Sequence, residues 1–238
     1  MDFLATLAIV VLLSWLLRRR IHSHPYVFYA LAIACNVLLL ANAYLPMPRW
    51  VLTVVSPLMQ KGGLGVAFFL LVMWIGVFPR DSKLSRGFRP IRAELSIMAC
   101  ILIVGHMYVY LASYMPRIVI GSAPKDSVVA ALAIAYVMLA LMIPLAATSL
   151  RAVKRRMKAH TWRKVQSLAY VFYGLILVHL ILMLGPSAMA GSERSMVMVV
   201  LYIIMFGGYV VARIVRAIVD RKEHVDLVET VKDQGFRA

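Results

Sequence analysis

Acidic side chains are scarce in this chain. Ten Asp and Glu stand against 26 Lys and Arg in 238 residues, and charged residues of both signs make up only 15%. A soluble domain carries roughly 25% charged and about 45–50% apolar residues, whereas 63% of this chain is apolar. So little charge cannot cover so much apolar surface in water. The formal charge of +16 would suit a nucleic-acid binder, but the cations sit in short clusters between long apolar stretches. That distribution excludes a nucleic-acid partner and fits a lipid bilayer with one basic side. Cysteine is as rare as acid. Cys35 and Cys100 both lie inside apolar runs, which leaves neither metal-ligand spacing nor an extracytoplasmic disulfide. No internal repeat or low-complexity tract is present.

What the chain does have is length in its apolar runs. A bilayer core about 30 Å thick takes roughly 20 apolar residues in helix. Seven runs qualify, one of them short, at about 3–17, 26–45, 63–79, 93–115, 127–150, 165–185 and 195–217. The fold class expected is all-α, a polytopic transmembrane bundle of about seven helices. The stretch 50–59 is apolar but too short to span, and is expected at the membrane surface. Met1–Leu17 precedes Arg18, Arg19 and Arg20, the reverse of a secretory signal's charge order, so it reads as a retained helix.

Loop charge sets the expected orientation. All but five of the 26 Lys and Arg fall in the loops after the first, third and fifth runs or near the C-terminal tail; the exceptions are Arg49, Lys61, Arg117, Lys125 and Arg194. Basic loops stay on the cytoplasmic side, which puts the N-terminus outside and the C-terminus inside, in a cell (cytoplasmic) membrane.

Ionisable residues within membrane helices are costly and mark functional sites. His22, His24 and His160 lie in loops and His224 in the tail, whereas His106 and His179 lie deep in apolar runs. Each sits about 20 Å from the start of its run at 1.5 Å per residue, and both runs point the same way. Two imidazoles at one level on co-directed helices suit the axial positions of haem iron in a dry slot. Gly105 and Gly174 would leave room there for a macrocycle against the backbone, and Tyr110 and Tyr114 could pack on it. A hydrogen bond between helices, a proton relay and a transport site remain alternative uses of the same histidines. Pro144 is expected to break its helix. No third or fourth ligand for zinc stands at this depth. Without Cys-x-x-Cys-His, any haem would not be covalently attached.

Two stretches resemble the ferric reductase-like transmembrane superfamily, which includes the haem subunit of the bacterial methionine sulfoxide reductase system, NADPH oxidases and STEAP reductases. The first is Ile91-Arg92-Ala93-Glu94-Leu95-Ser96-Ile97-Met98-Ala99, followed by His106 and Tyr110. The second is Trp162-Arg163-Lys164-Val165-Gln166-Ser167-Leu168-Ala169-Tyr170, followed by His179. The glycine-bearing segment Lys61 to Gly65 also fits. The resemblance divides the chain into 1–61 (two helices and an interfacial segment), 62–185 (a haem-binding core), 186–217 (the last helix) and 218–238 (a cytoplasmic tail). It departs from the family where the inner histidines would stand, because Gln166 and Arg92 occupy those positions. The resemblance therefore implies one haem b, near the outer face, held by His106 and His179.

The expected activity is that of a b-type cytochrome subunit, an oxidoreductase component. It would pass electrons from a quinone-pool quinol or a separate flavoprotein to an extracytoplasmic redox partner. No flavin domain follows the last helix, which disfavours a fused flavin donor. Arg92, Glu94, Arg163 and Gln166 form a candidate inner-side or quinol site, with Glu94 either a proton acceptor or the salt-bridge partner of Arg92. Arg117, Lys125 and Arg194 are candidate contacts for haem propionates or for a partner, or else interface anchors. A transporter or proton relay using the histidine pair, and a redox-inactive membrane scaffold, are the competing readings.

Overall fold

The computed structural model describes residues 3–42, 45–79, 81–122 and 125–235, with side chains described as far as Lys222. The basic loop residue Arg80, the end of the run expected at 26–45, and the side chains of the tail, His224 among them, lie outside the described residues.

Every regular element among the described residues is helical: α1 (Phe3–Leu16), α2 (Arg18–Ser23), α3 (Pro25–Ala41), a π-helical turn (Val51–Val55) leading into α4 (Ser56–Gln60), α5 (Gly63–Ile75), α6 (Lys83–Phe88), a 3-10 turn (Arg89–Ile91), α7 (Arg92–Val119), α8 (Asp126–Ser149), α9 (Arg151–Arg156), α10 (Ala159–Met189) and α11 (Glu193–Gly235). Helices are what a bilayer demands, since each closes its backbone hydrogen bonds within itself. Lys83–Val119, Asp126–Ser149, Ala159–Met189 and Glu193–Lys222 are long and apolar enough to cross a membrane, and a fifth span arises if the bent pair Val51–Gln60 and Gly63–Ile75 is taken as one. α1 and α3 are apolar but shorter, at 14 and 17 residues. The protein is a multi-pass membrane helix bundle. Its outward faces carry large apolar side chains such as Leu12, Leu31, Val137, Ile204 and Val211, a surface that only lipid tolerates on this scale.

Local chemistry sets the ends of the elements. Pro25 stands in the first turn of α3, where its missing N–H costs nothing. The Ser82 hydroxyl accepts from the Ser85 N–H at 3.1 Å and starts α6. One sequence expectation is corrected here. Pro144 does not break its helix: α8 runs through it to Ser149, and the Thr148 hydroxyl donates to the Pro144 carbonyl at 2.7 Å. The break occurs instead at Gly62, where φ is +68° and the chain bends by 54° between Val51–Gln60 and α5. The segment 50–59, expected at the surface, forms the first arm of that bend. Val51 and Met59 are fully buried, and α4 packs on α3, α5 and α7.

The helices pack as two groups. α7 lies against α3 and α5, with α1 on the other side of α5; α10 lies against α8 and α11. A lighter contact between α7 and α8 joins the groups, and α7 and α10 are not packed along each other. α5 is buried without interruption from Gly65 to Met73, as expected of a helix apolar all round. Phe69 meets Phe172 of α10 at 5.1 Å between ring centroids, and Trp74 meets Tyr209 of α11 at 6.3 Å. α5 is therefore the element on which both groups close. Leu70→Ala at the centre of α5 is expected to cost about 2–4 kcal/mol, whereas Val211→Ala on the lipid face should stay within about 0.5 kcal/mol; denaturant unfolding in detergent micelles checks the difference.

Candidate functional site

His106 sits where the bend at Gly62 leaves a carbonyl without a helical partner. The last carbonyls of a helix cannot bond within it, and α4 ends at Gln60. The His106 Nδ1 lies 2.7 Å from the Gln60 carbonyl oxygen. A carbonyl only accepts, so Nδ1 carries the proton and Nε2 keeps its lone pair. Gly62 is needed twice over. Its φ is positive, and a Cβ there would stand 3.2 Å from the His106 ring.

His179 repeats this bond on the other group. Its Nδ1 lies 3.0 Å from the Ala131 carbonyl oxygen of α8, so its Nε2 is also the free nitrogen. His179 shares a helical stripe with the buried Phe172 and Ile176 and faces the bundle. Measured from the C-terminal ends of their helices, His106 and His179 lie about 20 Å and about 15 Å along the axis. α10 begins at Ala159, six residues before the expected apolar start (Val165 − Ala159), so its first turns are a basic extension rather than buried chain.

The companions expected around the pair are placed differently. The open side of Gly105 faces α3: a Cβ would lie 2.2 Å from Asn36 Oδ1. Asn36 is buried, donates through Nδ2 to the Ile101 carbonyl at 2.6 Å, and accepts from the Gly105 N–H at 3.1 Å. Gly105 is thus the seat of an amide that clamps α7 one residue before His106. Gly174 has open space beside it but lies on the exposed stripe with Val171 and Val178, away from the stripe of His179. Tyr110 packs on the His106 ring itself, at 4.7 Å between centroids, and Tyr114 stacks on Tyr110 at 6.0 Å.

The inner-side residues divide as well. A cavity of about 200 Å³ lies between the two groups and is lined by Arg92 and Gln166, but not by Glu94 or Arg163. Arg92 donates from Nε to the Val72 carbonyl at 3.1 Å, near the end of α5, where a cation meets unsatisfied carbonyls. Gln166 donates to the Thr148 hydroxyl at 2.8 Å and joins α10 to α8. Glu94 does not pair with Arg92. It is buried, and its Oε1 accepts from Arg151 of α9, whose guanidinium is raised further above its usual range by the hydrogen bond and charge of Glu94. Arg163 is exposed.

Residues 61–177 match the family model described as "Ferric reductase like transmembrane component". This segment belongs to the ferric reductase-like transmembrane superfamily. The chain is also 38% identical over 166 residues to an uncharacterized protein of Treponema pallidum (strain Nichols); the match takes in 69% of this chain and 46% of that protein, so the chain spans less than half the relative's length. No solved structure matches.

The ferric reductase-like segment contains the bend at Gly62, His106, Arg92 and Gln166, and stops two residues short of His179 (179 − 177). Membership suggests a membrane redox component. Among the described residues, no three His, Cys, Asp or Glu side chains come together as a metal site. Sequence reasoning missed Asn36, the carbonyl of Gln60 and Arg151. An uncharged amide inside the apolar run 26–45 was the available signal for the first, and the adjacent Gly62 and Gly63 for the second. Removing Arg151 would strand the buried Glu94. Arg151→Gln is expected to cost about 1–3 kcal/mol, with half-exposure of the arginine keeping it at the lower end, and Glu94→Gln in the same chain should recover part of the loss in thermal unfolding.

Proposed function

We propose that this protein is a b-type cytochrome subunit that carries electrons across its membrane on one haem ligated by His106 and His179. The observation that carries the reading is the matched state of the two imidazoles. Each gives its Nδ1 proton to a backbone carbonyl of another helix, the arrangement that metal-ligating histidines adopt to fix tautomer and ring plane. Each then has Nε2 available, and the helices that bear them belong to groups that do not pack along one another there. Neutral imidazole nitrogen suits haem iron, so the donor set fits the group. Membership of a redox family supports the same reading.

Bound haem would supply one-electron chemistry, ferric to ferrous and back. The chain's part is to hold and insulate. Gln60 and Ala131 orient the rings through their carbonyls. Tyr110 and Tyr114 stack above His106 and cover its side of the site. The surrounding apolar helices keep water from the pair. With the basic loops inside the cell, the N-terminus lies outside and the tail in the cytoplasm, and seven helices cross the cytoplasmic membrane. The electron donor is a quinol reaching the protein within the bilayer or a separate flavoprotein, and the acceptor is a redox partner on the outer side.

A visible absorption spectrum of the full-length protein purified from haem-replete cells tests this. Reducible low-spin haem bands are expected in the wild type and should disappear, or give way to those of a high-spin haem, in His106→Ala and in His179→Ala while both variants remain folded. A colourless wild type, or unchanged bands in either variant, defeats the assignment.

A further inference from the structure

We propose that the inner cavity is a binding site for an anionic phosphate-bearing ligand. Its phosphoryl group would be held by Arg89, Arg92 and Lys154, and its apolar part by Trp162, Phe172 and the ring of Tyr173. The proposal stands apart from the haem assignment, because none of these residues touches the histidine pair. Three cations line one cavity of about 200 Å³, and no carboxylate lines it. Among the described residues, none of the three has an acidic partner: Glu94, the nearest acid in sequence, is turned to Arg151.

All three residues are exposed to solvent, and each makes one contact with the protein. Arg92 is fixed through Nε on the Val72 carbonyl, which leaves its terminal nitrogens for a ligand. Arg89 lies 3.4 Å from the Phe78 carbonyl, and the Lys154 ammonium sits 4.5 Å over the Trp162 ring. Like charges gathered at the edge of an apolar cavity repel one another, and an anion relieves them. Arginine forks also match phosphate oxygens in geometry.

The remaining wall is aromatic, with Trp162, Phe172 and Tyr173 in the lining. Tyr173 lines the cavity and is only 5% exposed. Its hydroxyl is shut off from solvent beside the Met73 carbonyl, so the ring is the part of this side chain that a ligand would meet. The volume is below that of ordinary cofactor pockets. It suits one phosphoryl group with a small organic group and is too small for a porphyrin. Basic pockets between membrane helices on the cytoplasmic side take lipid headgroups, and a soluble phosphate ester offers the same chemistry.

Full-length protein in detergent, probed with phosphatidylglycerol, phosphatidylcholine and glycerol 3-phosphate, tests the site. Native mass spectrometry reads lipid retention and calorimetry reads the soluble ester. The wild type is expected to retain phosphatidylglycerol at least about tenfold over phosphatidylcholine, or to bind glycerol 3-phosphate without lipid; the first result identifies a lipid ligand and the second a soluble one. Arg89→Gln with Lys154→Gln should lower either signal about tenfold. Arg155→Gln with Arg156→Gln, outside the cavity, should leave it unchanged. Equal losses in the two paired variants would mean general surface charge and overturn the proposal, as would binding of neither probe by the wild type.

Discussion

A bilayer offers no water to a polar group, so every proton on a buried nitrogen must find its acceptor within the protein. For the two deep imidazoles that acceptor is a backbone carbonyl, Gln60 for His106 and Ala131 for His179. Much of the local architecture answers this need. The bend at Gly62 exists where α4 ends, and its free carbonyl is the one that receives His106. The Asn36 amide fixes α7 immediately before that histidine. α8 supplies the carbonyl for His179 from the helix against which α10 packs most extensively. One bond type, made twice from opposite groups of helices, sets both rings in the same tautomer.

The seam between the two helix groups accounts for the rest. At the depth of the histidines it has the two rings, each held through Nδ1, with Tyr110 and Tyr114 stacked on that of His106. Toward the basic loops it has cations around a small cavity. α5 closes the seam from one side with a nearly continuous buried surface, and Arg92 serves both regions by capping α5 and lining the cavity. The positions where the family resemblance expects inner histidines, Arg92 and Gln166, border this cavity and make bonds that tie each helix to its own group, α7 to α5 and α10 to α8. Their chemistry is that of anion attraction and helix pairing rather than of iron ligation.

The helices were legible because apolar runs of this length have few other folds, and the two histidines because a titratable ring in such a run is conspicuous. What could not be read had a physical cause in each case. The acceptor for His106 is a main-chain oxygen, which leaves no mark in side-chain chemistry. Asn36 is uncharged, so a search for ionisable groups passed over it. Glu94 and Arg92 are close in sequence, but proximity along a helix start says nothing of a neighbour such as Arg151 arriving from another loop. Pro144 looked like a break because its ring removes a hydrogen bond, yet the helix continues through it. Gly105 and Gly174 were both candidates for room near a macrocycle, but a glycine's open side is set by what packs there: Asn36 for one and the outer face for the other.

The central claim is that His106 and His179 present their Nε2 atoms to one metal centre. Electron paramagnetic resonance of the oxidised, purified full-length protein examines this most directly. The account predicts a low-spin ferric haem with two imidazole ligands, converted in either single alanine variant to a high-spin form or lost. A high-spin signal in the wild type, or a low-spin signal that persists after removal of either histidine, would contradict it.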